Sequence, residues 1–195
     1  DGLDDCVDDC PYDFENDVDG DGICGNVDIC EGFDDNLDID GDSTPDGCDL
    51  TPYGDVALSI LDENITETSV EVWYSSNADI YEFTLNIDQI DLVNVTTNLE
   101  TTLFSNEFVR AYGDFLPAGE GLLATLEFNP SLSEQELIVF GGAAWTIYEN
   151  LEVSLGVTPE ENFATLPACQ NTDGDELCDS LDDCPYDFEN DADAD

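Results

Sequence analysis

The chain has 195 residues, 50 of them Asp or Glu, with one basic residue and no His, for a formal charge of −49. That balance excludes nucleic acid as a partner, because nothing can replace the counterions of phosphate, and it excludes anionic membrane surfaces. It also removes histidine-dependent acid–base chemistry, Ser-His triads, Schiff-base lysines and His-ligated zinc or haem.

No apolar stretch is long enough for membrane insertion. No signal peptide is expected within the chain, so an export signal would lie outside it. The charge is unevenly placed: 19 acids fall in residues 1–50 and 11 in residues 168–195. Nearly all large aliphatic residues lie between. The expected organisation is an acidic flank over 1–50, a β domain over 51–167 and a second acidic flank over 168–195. A middle of ~115 residues can bury its own core, whereas the flanks need another source of order.

Eight cysteines lie in those flanks: Cys6, Cys10, Cys24, Cys30, Cys48, Cys169, Cys178 and Cys184. An even count in core-poor segments reads as a disulfide framework, hence an extracellular or cell-surface setting. The spacing leaves the connectivity open. Zinc is the rival, disfavoured by irregular Cys spacing and by the Asp around each Cys.

The first flank carries two twelve-residue Asp patterns. Residues 17–28 place Asp17, Asp19 and Asp21 at positions 1, 3 and 5, Gly22 at 6 and Asp28 at 12. Residues 38–49 place Asp38, Asp40, Asp42, Asp46 and Asp49 at 1, 3, 5, 9 and 12. In the second flank, Asn171, Asp173, Asp175, Asp179 and Asp182 repeat the register. Position 7 offers a backbone carbonyl, from Ile23, Thr44 and Leu177. Alternate carboxylates in a tight loop converge on one point, which suits calcium and its six to eight hard oxygen ligands. A solvated acidic tail or a halophile-type surface has no reason to keep a twelve-residue register. Magnesium is a weaker rival, since it keeps more water. Ser43 stands where Gly22 stands in the first loop, so the second loop is expected to bind more weakly.

The endings Asp8-Asp9-Cys10-Pro11 and Asp182-Asp183-Cys184-Pro185, with Asp28-Ile29-Cys30, resemble the thrombospondin type 3 repeat. That resemblance implies calcium-ordered, disulfide-stapled stalk segments. EF-hand helices are not expected, because Pro-Tyr-Asp-Phe-Glu-Asn precedes the first loop.

Residues 8–17 and 182–191 are identical. The same offset aligns Asp1, Leu3 and Asp5 with Asp175, Leu177 and Asp179. The two ends read as halves of one motif. Asp191 opens the last acidic run, Asp193 and Asp195 would supply positions 1 and 3, and Asp1, Leu3, Asp5 and Asp8 of a following unit would supply 5, 7, 9 and 12. One linking residue, or a small gap, is needed. The expectation is a tandem array or a homopolymer joined head to tail, with a bridge between units through Cys6 and Cys184 as a further option. Duplication of a calcium repeat is the plain alternative.

The middle reads as β structure. Nine candidate strands are residues 56–61, 69–74, 80–87, 90–95, 108–112, 121–128, 136–140, 144–148 and 151–155, with period-two alternation in the first three. Turn residues separate them, including Gly141-Gly142. Such spacing predicts an all-β, antiparallel β-sandwich. Trp73, Tyr81, Phe83, Phe128, Trp145, Val72, Leu85, Leu126 and Ile138 are the expected core. The segments Val70-Glu-Val-Trp-Tyr-Ser-Ser-Asn-Ala-Asp-Ile-Tyr-Glu-Phe-Thr-Leu and Pro117-Ala-Gly-Glu-Gly-Leu-Leu-Ala-Thr-Leu-Glu-Phe look like the cohesin-type sandwich, a shape shared with carbohydrate-binding modules and broadly immunoglobulin-like. That resemblance implies a binding or scaffold module, with dockerins or sugars as the ligand classes.

No catalytic residue is expected. Glu71, Glu82 and Glu127 alternate along strands as a solvated face would, although paired carboxylates can hydrolyse glycosides. Arg110, the sole cation, is expected to pair with a carboxylate. Asn64 and Asn94 head glycosylation sequons. Together these features predict a calcium-stabilised extracellular structural module, with a cohesin-like or sugar-binding module as the alternative.

Overall fold

The computed structural model describes residues 10–14, 16–158, 161–186 and 188. The expected positions Asp1, Leu3, Asp5, Cys6, Asp8, Asp191, Asp193 and Asp195 lie outside the described residues. Among the described residues the secondary structure is all β.

Ten strands form: β1 (Asp55–Ile65), β2 (Ser69–Ser76), β3 (Ile80–Asp88), β4 (Leu92–Thr96), β5 (Thr101–Phe104), β6 (Phe108–Leu116), β7 (Gly119–Phe128), β8 (Gln135–Tyr148), β9 (Leu151–Thr158) and β10 (Glu161–Leu166). The described flank residues outside them hold only turns, bends and irregular backbone. One layer runs β4-β7-β2-β1 and the other β9-β8-β3-β6-β5, with β10 on β8. All pairings are antiparallel except β1 with β9, which is parallel from Asp55 opposite Gly156 to Ala57 opposite Thr158. Residues 66–150 separate these two strands, so no hairpin imposes the antiparallel sense. This one pairing joins the two layers along a side.

Alternation drives the sandwich. Val70, Val72 and Tyr74 of β2 point inward, as do Val56 and Leu58 of β1 and Leu126 and Phe128 of β7. They meet Phe83, Leu85 and Ile87 of β3, Val109 and Ala111 of β6, and Leu137 and Val139 of β8 in one cluster. Each fully buried Leu, Val or Phe contributes about 1.5–3 kcal/mol.

Three expected core aromatics sit elsewhere. Trp73, Tyr81 and Trp145 are half-buried. Trp73 has the opposite parity to Val72 and Tyr74, and its indole N–H donates to Glu71 Oε2 at 3.0 Å. Tyr81 stacks on Phe115 with ring centroids 5.4 Å apart. Trp145 lies opposite Glu82 in the β8–β3 register. The side chain of Ile138 lies outside those described.

The expected break at Gly141-Gly142 is instead the middle of β8. The first half of β8 pairs with β10 and the second half with β9. A Cβ on Gly142 would fall on the Thr84 carbonyl oxygen. Here glycine permits a close backbone approach beside a register irregularity of the β3–β8 ladder. Strands β5 and β10 were not expected. Both are short, and Thr or Glu and Asn at their starts mask the alternation.

Candidate metal centres

The three Asp loops share a common set of hydrogen bonds. At position 1, Asp17 Oδ1 accepts from the Gly20 amide at 2.7 Å, Asp38 Oδ1 from Gly41 at 2.8 Å, and Asn171 Oδ1 from Gly174 at 2.7 Å. Position 4 is glycine each time, with φ of 83° at Gly20, 76° at Gly41 and 79° at Gly174. Position 5 turns on position 7: the Ile23, Thr44 and Leu177 amides donate to Asp21, Asp42 and Asp175 Oδ1 at 2.7, 2.6 and 2.6 Å. Position 12 caps the exit: the Cys30, Thr51 and Cys184 amides donate to Asp28, Asp49 and Asp182 Oδ1 at 2.7, 2.8 and 2.8 Å. The loop is closed by the position-9 amide on the carbonyl just before position 1. These bonds are Gly25 to Asn16 at 2.7 Å, Asp46 to Leu37 at 2.7 Å and Asp179 to Gln170 at 2.8 Å.

After these bonds a consistent set of oxygens is left over. Asp19, Asp40 and Asp173 Oδ2 at position 3, and Asp49 and Asp182 Oδ2 at position 12, are buried atoms with no hydrogen-bond partner. Asp182 as a whole residue is 8% exposed. An unsatisfied buried polar group costs about 1–3 kcal/mol, and a charged one more. Five such atoms in register call for a cation. The clusters Asp17–Asp19–Asp21, Asp38–Asp40–Asp42 and Asp173–Asp175–Asp182 each place one oxygen per residue within 4.8 Å of the others. All these donors are hard oxygens, which fits calcium and leaves no soft ligand for zinc.

Not every expected ligand joins a cluster. Asp46 Oδ1 accepts from the Ile39 amide at 2.9 Å, and Asp179 Oδ1 accepts from the Thr172 amide at 2.7 Å. Position 9 thus pins position 2. Asp35, absent from the sequence reading, accepts from the amides of Ile29 and Cys30, each at 2.9 Å. Its own amide donates to Asp21 Oδ2 at 2.8 Å. Asn16 Oδ1 is a further buried oxygen without a partner.

Crowding shows in the acidities. Burial, then the carboxylates of Asp35, Asp19 and Asp21, raise the Asp28 carboxyl against the lowering effect of the Cys30 amide. Burial also raises Asp40, with Asp42 and Asp49 adding to it and the Asp42 amide and Asn77 side chain opposing. Asn77 belongs to the β2–β3 turn, and its Oδ1 accepts from the Asp55 amide at 2.7 Å. The second loop is therefore tied to the start of β1.

Each disulfide ties a cysteine just before a loop to one inside it. Cys10 pairs with Cys24, Cys30 with Cys48 and Cys169 with Cys178. The Cys184 side chain is half-buried. Arg110 Nε donates to Glu82 Oε1 at 2.6 Å. Of the sequon residues, Asn64 is half-buried, next to last in β1, and Asn94 is exposed on the edge strand β4. No helix among the described residues is long and apolar enough to cross a membrane.

No protein-family model matches the chain. No curated protein matches it significantly by sequence. Among solved structures, the chain is similar to the cohesin module of a Clostridium perfringens family 33 glycoside hydrolase, at TM-score 0.39 and 11% identity, over 61% of this chain and 98% of that one. A non-cellulosomal cohesin from the archaeon Archaeoglobus fulgidus aligns at TM-score 0.38 and 15% identity, over 60% and 92%. The human F-spondin reeler domain aligns at TM-score 0.36 and 11% identity, over 57% and 92%. Likenesses this distant carry no weight for function.

Proposed function

We propose that the chain is a calcium-stabilised extracellular structural module, a repeating unit of a filament, stalk or adhesin joined head to tail through its Asp-rich loops. The observation that carries this reading is the set of five buried, unpartnered carboxylate oxygens at positions 3 and 12. Ions there would neutralise the flanks and stiffen them, while the sandwich supplies a rigid bead. The three disulfides support an oxidising, extracellular setting. The identical ten-residue segments near the two ends support a repeating arrangement.

A second reading keeps the calcium flanks but makes the sandwich a cohesin-like or sugar-binding module. Half-exposed Trp145, Tyr81 and Tyr112 on the outer faces favour it, since aromatic surfaces stack on sugars and partner modules alike. Negative-stain electron microscopy separates the two. The structural reading expects filaments in millimolar calcium that soften or fall apart in excess chelator. Single beads in both conditions would contradict it and turn attention to glycans and dockerins.

A further inference from the structure

We infer that Thr51 is a positioning residue for the second loop's ion, and that through it calcium at this loop fixes the first flank on the sandwich. This deepens the calcium reading above and rests on it.

Two residues beyond position 12 stands Cys30 in the first loop and Cys184 in the third, but Thr51 in the second. Cys30 is taken up by its disulfide to Cys48. Thr51 instead bonds in two directions. Towards the loop, its amide and its hydroxyl both donate to Asp49 Oδ1, at 2.8 and 3.3 Å. Two donors on one oxygen fix the carboxylate and leave Oδ2 as the buried, unpartnered one. Towards the sandwich, the Thr51 carbonyl accepts from the Gly54 amide at 2.8 Å, and the Gly54 carbonyl accepts from the Gly156 amide at 2.9 Å. The Thr51 methyl carbon lies 2.5 Å from where a Cβ on Gly156 would stand. The missing side chain at Gly156 lets that methyl sit against β9.

The rest of the contact is thin. Tyr53 meets Tyr148 at the end of β8 with ring centroids 5.4 Å apart. Beside this pair lies a cavity of about 210 Å³, lined by Ile39 and Asp40 from the loop and by Asn77, Ala78 and Thr146 from the sandwich. A joint with a hollow centre takes its rigidity from the shape of the loop, not from a packed apolar core. Without a cation, the carboxylates of Asp38, Asp40, Asp42 and Asp49 repel one another and work against that shape; a bound cation reverses the effect. The first loop follows the second, through the Cys30–Cys48 disulfide and the Asp35 amide on Asp21 Oδ2. The ion nearest the sandwich therefore sets the direction of the whole flank. Ser43, at φ 78° where the first loop has glycine, weakens this loop's grip. The joint thus releases at a calcium level where the first loop is still loaded.

The test follows the full-length, isotope-labelled chain by NMR through a calcium titration. The Gly20, Gly41 and Gly174 amides report ion binding loop by loop. Residual dipolar couplings of the second-loop amides, set against those of β2 and β3, report whether flank and sandwich tumble as one body. In saturating calcium both sets should fit one alignment, and in excess chelator the flank couplings should shrink towards zero. Thr51→Val keeps the methyl and loses the hydroxyl, so the calcium midpoint at Gly41 should rise by about threefold, with Gly20 and Gly174 unchanged. Thr51→Ser restores the hydroxyl and loses the methyl. Its Gly41 midpoint should match the unmodified chain, while its flank couplings at saturation should fall. Ser43→Gly should move the alignment transition to lower calcium by the same factor as the Gly41 midpoint. An unchanged Gly41 midpoint in Thr51→Val, an equal shift at all three glycines, or flank couplings that fit the sandwich equally well in chelator would overturn the proposal. No calcium response at any of the three glycines would overturn the calcium reading along with it, whereas failure of the Thr51 variants with all three loops still binding would leave that reading standing.

Discussion

Asp49 gives one carboxylate oxygen to the Thr51 amide at 2.8 Å and leaves the other buried with no partner. Thr51 leads within a few residues to β1, and just before that strand Gly54 O accepts from the Gly156 amide at 2.9 Å. Position 12 of the second loop is thus joined directly to the seam between the two layers. Asp49→Asn keeps an acceptor for Thr51 but removes the charge. It should lower calcium affinity at one site by on the order of tenfold, because affinity in such loops follows ligand charge. Asp49→Ala removes the cap too and should also cost stability, by about 1 kcal/mol. Calorimetric titration and thermal melts read the two effects separately.

Proton competition sets the pH response. Asp28 and Asp40 have carboxyls raised above the ordinary 3.8 by burial first and by neighbouring carboxylates. A raised carboxyl binds its proton more tightly in the folded state, so metal-free flanks gain stability as pH falls from above the raised value towards 3.8. Calcium needs the ionised form, so its affinity should fall over the same interval. Titrating the chelated and calcium-loaded chains between neutral pH and pH 4 should give opposite slopes. Parallel slopes would contradict the assignment of these carboxylates as ligands.

Ser43 occupies a left-handed backbone position, φ 78°, where the first loop has Gly22 at φ 90°. A non-glycine residue there carries strain of about 1 kcal/mol. Ser43→Gly should tighten calcium binding at the second loop by several-fold in titration calorimetry, and it should not alter the first or third loop.

Gly142 has the opposite character, since its space is already taken by the Thr84 carbonyl. Gly142→Ala should force β8 away from β3 and destabilise the sandwich by about 3 kcal/mol. The drop should show as a lower melting temperature, in calcium and in chelator alike.

These cases mark what the sequence could convey. The loop register was readable because alternate Asp residues have one geometric use, and the three loops repeat the same bonds. Position 9 has a second role that spacing does not announce: Asp46 and Asp179 also accept from the position-2 amides. Asp35 falls outside any twelve-residue register, so only the fold brings it to Cys30. In β2, Trp73 and Tyr74 are adjacent, so one alone can face inward, and hydrophobicity favours the wrong one. Gly142 read as a turn because a glycine pair fits a turn as well as a close strand contact. Disulfide pairing among eight cysteines has 105 solutions, and three-dimensional proximity selects Cys10–Cys24, Cys30–Cys48 and Cys169–Cys178.

The most direct test of metal-dependent order is amide hydrogen exchange on the full chain, in millimolar calcium and in excess chelator. The amides of Gly20, Gly22, Gly41, Ser43 and Gly174 bond to position-1 side chains, so ion binding should protect them. Val72 and Leu85, buried in the sandwich, should exchange equally slowly in both conditions. Equal, fast exchange of the loop amides with and without calcium would contradict the account.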